Sequence, residues 1–175
     1  MNQREIVTER LLLRRFVISD AKRVQSLAGN KEVANTTASI PYPYPDGLAE
    51  KWIATHEDNF ANRATVTYAV TLKDSSDLIG CVSMLNLNSG QPELGYWIGV
   101  DYWGKGFCTE ACRAFIDHCI EAFGFKAIYG KHLAINPASG RVMEKCGLTY
   151  MSTEKGKTGF MKDAEELRIY KLVCA

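Results

Sequence analysis

Residues 92–111, P-E-L-G-Y-W-I-G-V-D-Y-W-G-K-G-F-C-T-E-A, decide the fold. Residues 94–100 read as a strand, with Leu94, Tyr96, Ile98 and Val100 on one face and Glu93, Gly95, Trp97 and Gly99 on the other. Gly104 and Gly106 then turn the chain, and an amphipathic helix is predicted over 108–123, with Ala111, Phe115, Ile116 and Cys119 among its apolar positions. Strand, glycine turn and helix in that order build an anion pocket from backbone N–H groups and the positive end of a helix dipole. Gly95 and Gly99 weaken a strand, so they predict a bulge or a close approach by another chain or a ligand.

Working toward the N-terminus, residues 78–87 and 65–72 read as a β-hairpin closed by the polar turn 73–77. A helix is predicted over 48–62 with Asp46 as its cap, and another over 21–28 capped by Ser19-Asp20. The prolines in 40–45 forbid a regular helix there. The first strand is expected at 11–16. Toward the C-terminus come a strand at 128–135, a helix at 137–145 that ends at Gly147, and strands at 149–153 and 166–173.

The order is β-α-α-β-β-β-α-β-α-β-β. It holds one parallel crossover, from strand 94–100 through the helix to strand 128–135, in an otherwise antiparallel sheet. That is a mixed α/β fold of the α+β type, distinct from a doubly wound sheet. No repeat or linker divides the chain, so residues 1–175 are expected to form a single domain.

A hydrophobic share of 46% and a charged share of 23% are those of an ordinary globular protein. The formal net charge of +1 gives no electrostatic reason to expect nucleic acid as a partner. No apolar run approaches the roughly 20 residues a bilayer span needs, and residues 1–5 lack the apolar core of a signal peptide. A cytoplasmic protein with no membrane partner is the expectation. The six cysteines form no Cys-x-x-Cys pair and the three histidines lack zinc-ligand spacing, so reduced thiols and no metal are expected.

Two familiar nucleotide motifs fail. A dinucleotide turn needs a third small residue where Thr109 stands and an acid about 20 residues further on; a P-loop needs Gly-Lys-Ser/Thr, which Gly104-Lys105-Gly106 does not supply. The chain instead resembles the GNAT acetyltransferase superfamily, and within it the Rim-type ribosomal-protein N-terminal acetyltransferases. The resemblance rests on Thr8-Glu9-Arg10-Leu11-Leu12-Leu13-Arg14, Ile79-Gly80, Glu93-Leu94-Gly95-Tyr96-Trp97-Ile98, residues 102–111, Asn136-Pro137-Ala138-Ser139 and Met143-Glu144-Lys145-Cys146-Gly147-Leu148. It implies a mostly antiparallel central sheet, flanked by helices, whose fourth and fifth strands (94–100 and 128–135) splay apart.

The resemblance also implies acetyl-CoA as co-substrate, with its pyrophosphate on the turn formed by Trp103, Gly104, Lys105, Gly106, Phe107, Cys108 and Thr109. Trp103 and Cys108 depart from the family's usual Gln/Arg and small residue there. Cys108 is small enough to keep the turn. Free amides near Ile98, Gly99 and Val100 would bind the pantetheine arm and the thioester oxygen. Asn136 and Ser139 would also contact the cofactor. Many relatives place a proton-donating tyrosine on the helix over 137–145. Met143 stands at that position here and cannot donate, so Ser139 is the candidate acid. Glu93 is the candidate for a base acting through water or for holding the cationic amine.

The acceptor groove is expected from the Pro/Tyr-rich loop 40–45, the helix 48–62 and the polar loop 154–165, with Tyr42, Tyr44, Trp52 and His56 as candidate lining. A ribosomal-protein N-terminus, a polyamine, an amino acid or an antibiotic all stay open as acceptors. The rival class is a non-catalytic acyl-CoA-binding module. Either a monomer or a homodimer is compatible with the exposed strands expected at the tail.

Overall fold

Every side chain from Val66 to Thr71 is buried, which marks β3 (Val66–Leu72) as a strand covered on both faces. β4 (Leu78–Leu85) pairs with it antiparallel, and β2 (Leu11–Arg14) and β1 (Ile6–Val7) extend the sheet on the other side. β5 (Glu93–Ile98) pairs antiparallel with β4. β6 (Ala127–Leu133) lies parallel to β5, and β8 (Glu165–Val173) and β7 (Thr149–Gly156) complete an eight-stranded sheet of order β1-β2-β3-β4-β5-β6-β8-β7. The computed structural model describes residues 3–37, 39–156 and 165–174.

The expected mixed, mostly antiparallel sheet is present, and its single parallel junction is short. Only Glu93↔Tyr129 and Leu94↔Gly130 are in register, after which β5 and β6 part. Among the described residues six α-helices flank the sheet: α1 (Ala21–Ala28), α2 (Lys31–Thr36), α3 (Leu48–Ala54), α4 (His56–Ala61), α5 (Phe107–Phe123) and α6 (Pro137–Lys145). The larger core lies under α5 and α6, where Phe115, Ile116 and Met143 meet Tyr68, Leu94 and Ile128. A second cluster lies on the opposite face, under α1 and α3, and joins Val24, Ala49 and Ile53 to Ala69 and Leu78. Each large apolar side chain withdrawn from water in this way contributes about 1.5–3 kcal/mol.

Several local expectations change. The helix expected over 48–62 is two helices that meet at Thr55, whose hydroxyl donates to Trp52 O at 2.7 Å and competes with the helical ladder. Its cap is Gly47 at φ +75°; the Asp46 carboxylate accepts from Gln25 Nε2 instead. Asp20 does not cap α1 with its side chain. It accepts from Val17 N–H and binds Arg14 through both guanidinium arms at 2.8 and 2.9 Å, and the first strand ends at Arg14 rather than at 16. α2 and β1 are additional elements, α2 being capped by Asn30, which accepts from Glu32 N–H. The strand expected over 94–100 is Glu93–Ile98, followed by a 3-10 turn at Val100–Tyr102.

His56 packs edge-on against Trp52 and Phe16, with centroids 4.4 and 5.3 Å away, and among the described residues neither ring nitrogen has a hydrogen-bond partner. Burial pushes its pKa down from 6.5 to about 4. Between those two values the unfolded chain binds a proton that the folded chain excludes, so stability present above pH 6.5 is lost as the pH falls toward 4. His56→Phe keeps the aromatic contacts and removes the titration. Urea unfolding at pH 7.5 and pH 5 is expected to show a stability loss smaller in the variant by about 1 kcal/mol, after discounting for partial exposure.

Candidate functional site

The glycine turn is built by its own residues. Gly104 and Gly106 sit at φ +72° and +82°, in the left-handed region that costs an L-residue about 1–2 kcal/mol. Gly106 is the N-cap of the 17-residue α5. The Trp103 indole donates to Ile98 O at 2.6 Å, and Lys105 turns its ammonium back onto Asp101 O at 2.8 Å. Among the described residues, the N–H groups of Gly104, Lys105, Gly106, Phe107, Cys108 and Thr109 have no protein acceptor. Six free donors at one helix N-terminus suit a multiply charged anion.

Arg10 holds this turn from behind. Its Nη1 donates to Lys105 O at 2.9 Å, its Nε pairs with Glu110 at 2.7 Å, and its guanidinium lies 4.5 Å over the Phe107 ring. Glu110 also accepts from Arg10 N–H and from the Thr8 hydroxyl. Burial opposes the Glu110 charge, yet the bonds from Thr8 and Arg10 outweigh it and hold the carboxyl below its usual pKa. With the Lys105 carbonyl engaged on this side, the turn presents its amides to the other.

The splay of β5 from β6 opens a cavity of about 800 Å³ beside the turn. Gly99 N–H donates to Ile79 O and Tyr129 N–H donates to Pro92 O, so the backbone alternation turns Tyr96 and Ile98 toward β6. Pairing with β6 stops at Leu94, which leaves the Tyr96 and Ile98 main chain facing the gap. Of the three residues expected to offer amides here, Gly99 has its N–H committed to β4. The Ile98 N–H faces the opening.

Across the gap stands the first turn of α6. Asn136 caps it, accepting from Ser139 N–H at 3.3 Å, while its amide donates to Thr36 O at 3.1 Å. Ser139 Oγ lies 2.8 Å from the Tyr96 hydroxyl, which is also 2.9 Å from Ser139 O. Burial raises the Tyr96 pKa far above 10, so the phenol keeps its proton. Met143 is wholly buried against Gly130, where an added Cβ would meet its Sδ at 2.9 Å. Cys108 lines the cavity, and all six cysteines are free thiols.

On the opposite sheet face Glu93 pairs with Lys131 at 2.9 Å, and both side chains line the cavity. Tyr44 and Trp52 reach its wall, whereas Tyr42 is exposed and His56 packs into its own aromatic cluster. Residues 157–164 of the loop expected to shape the groove lie outside the described residues. The sequence places Tyr96 on one strand face with Leu94 and Ile98 but gives it no role. Arg10 carries no local sign of its role. Their partners lie 43 and 95–100 positions away, beyond any local pattern.

A family model of the acetyltransferase (GNAT) domain matches residues 10–149. An uncharacterized N-acetyltransferase, p20, of Bacillus licheniformis is 24% identical over 93% of this chain and 88% of its own length. Among solved structures, the RimL ribosomal L7/L12 alpha-N-protein acetyltransferase in complex with coenzyme A superposes with a TM-score of 0.86 at 16% identity, covering 97% of this chain and 98% of that one. The microcin C7 self-immunity acetyltransferase MccE in complex with acetyl-CoA and AMP does so with a TM-score of 0.83 at 18% identity, covering 95% and 94%.

The two turn glycines differ in what a side chain would meet. At Gly104 a Cβ has open space, but at Gly106 it approaches Arg10 Nη2 at 3.3 Å. Gly104→Ala is expected to cost about 1 kcal/mol and Gly106→Ala about 2, from the left-handed backbone alone in the first and from backbone plus displaced guanidinium in the second. Equilibrium urea unfolding of the two variants checks the order.

Proposed function

The chain belongs to the GNAT acetyltransferase family, and from that premise we propose that it is an acetyl-CoA-dependent N-acetyltransferase acting on a primary amine in a ternary complex. The observation that carries the reading is one cavity bordered on one side by five of the six residues with free amides and on another by the Tyr96–Ser139 hydroxyl pair. The residues present fit the co-substrate: the amides of 104–109 suit a pyrophosphate, and the gap between β5 and β6 offers a slot for an extended arm with the Ile98 N–H on its edge. A protein N-terminal α-amine is an acceptor consistent with the Rim-type likeness, and its pKa of about 8 asks little of a base.

Bound acetyl-CoA supplies an acyl thioester, whose C–S bond breaks as the amine forms its N–C bond, leaving a thiolate that needs a proton. Tyr96 has one proton and two neighbours at Ser139. When it donates to Ser139 Oγ, the serine proton is free to point into the cavity. Ser139 then acts as the acid and regains its proton from solvent, which takes up the proton the amine sheds, while Tyr96, kept protonated by burial, holds Ser139 Oγ in this orientation. This pair supplies the hydroxyl that Met143 lacks. Glu93 Oε1, the carboxylate oxygen not engaged by Lys131, is placed to accept from the incoming ammonium or a water.

Two kinetic patterns test the division of labour. Ser139→Ala and Tyr96→Phe are expected to lower kcat about 10- to 100-fold with the KM for acetyl-CoA little changed, as for loss of a proton donor. Arg10→Ala is expected to do the opposite, raising that KM about tenfold while kcat falls less. Full kcat in both hydroxyl variants would remove the acid assignment. Acetyl-CoA binding without turnover on any amine would turn the reading into a non-catalytic module.

A further inference from the structure

The acceptor side of the cavity has a charge pattern that narrows the amine. Among the described residues the cavity as a whole holds one carboxylate, Glu93, against three cationic side chains: Lys131 beside it, and Arg141 and Lys145 on α6. That one carboxylate is already paired with Lys131 at 2.9 Å. A polyamine or a multiply aminated sugar brings several ammonium groups, and each would need its own counter-charge on leaving water. This wall supplies none beyond Glu93.

The Glu93–Lys131 pair is itself a small dipole at the rim of the strand gap. Its side chains are 21% and 40% exposed, and among the described residues they make no other side-chain hydrogen bond, which leaves Glu93 Oε1 and two Lys131 protons unused. An oxygen acceptor beside ammonium donors complements a molecule that carries an ammonium beside a carboxylate. On the same sheet face lie Ile169, the register partner of Lys131, and, two residue pairs further on, the Leu133↔Leu167 pair, all three buried and forming a cluster of their own. Leu133 and Leu167 line the cavity, as do Trp97 and Leu85. Charge pair and apolar wall are contiguous.

We propose that the acceptor is a free α-amino acid with an apolar side chain. Its ammonium is held at Glu93, its carboxylate at Lys131, and its side chain lies along Leu133 and Leu167. The proposal rests on the acetyltransferase reading and deepens it: Glu93 orients the nucleophile, and Lys131 is the specificity-determining residue that asks for a carboxylate next to it.

The test compares acetyl transfer from acetyl-CoA to leucine, leucinamide, a leucine-initiated tripeptide and spermidine, with each acetylated product followed by mass spectrometry. Leucine is expected to exceed leucinamide and the tripeptide about tenfold or more in kcat/KM, with spermidine poorest. Lys131→Met is expected to bring the leucine-to-leucinamide ratio near one, and Lys131→Arg to restore most of it. Calorimetric titration of the protein saturated with coenzyme A gives a readout free of turnover: leucine binds more tightly than leucinamide to wild type, and the two bind alike to Lys131→Met. Preference for the tripeptide or spermidine, or an unchanged ratio in Lys131→Met, overturns the proposal while leaving the acetyltransferase reading intact. Binding of acetyl-CoA with no turnover on any of the four amines overturns both.

Discussion

Two residue pairs join β5 to β6, and everything chemical in the molecule depends on their being only two. A longer parallel ladder would close the gap, satisfy the Tyr96 main chain and the Ile98 N–H, and leave the cavity no slot between the two sheet faces. The local price of the open ladder is a set of unpaired backbone groups, which water or a ligand must satisfy. The sheet is held elsewhere, through β3 and β4, buried except at their last residues, on one side and the seven-pair β6–β8 ladder on the other. The junction can therefore be weak without threatening the fold.

Close packing around the gap fixes what lies across it. Gly130 lets α6 settle onto β6 with Met143 pressed against the strand, and Gly140 lets His132 and Tyr170 come under the first turn of the helix, where a Cβ would meet them at 2.7 and 3.0 Å. That depth of approach brings Ser139 within 2.8 Å of the Tyr96 hydroxyl. The same helix is tied by Asn136 to the last carbonyl of α2, at Thr36, so the cap that starts α6 also fixes the wall beside it. The geometry of the Tyr96–Ser139 hydroxyl pair thus comes from glycines that carry no chemistry of their own.

What was legible in the sequence was local. Pro137 and Gly147 bracket α6, and its bounds agree with expectation because start and stop signals act within a turn. The glycine turn and the helix after it were readable for the same reason. The break at Thr55 was not, since a threonine inside a helical stripe gives no sign of whether its hydroxyl will compete for a carbonyl. Asp46 and Asp20 have good capping chemistry but are drawn to Gln25 and Arg14 by tertiary contacts. At the site, Glu93 and Ser139 were visible as candidates, while Tyr96, Arg10 and Lys131 gain their meaning only from partners that the fold delivers.

The Arg10 clamp also orders events in time. Thr8 and Arg10 leave the ribosome early, yet Lys105 and Glu110 follow about a hundred residues later, and the turn cannot be braced until both ends have met. So long a loop closure is entropically slow, and contacts of such sequence separation are made late in folding. During synthesis the sheet can therefore gather its β3–β4 hairpin while the anion cradle is still unformed. Competence to bind an anion then arrives as one of the last acts of folding, and it reports that the first and middle thirds of the chain have found each other.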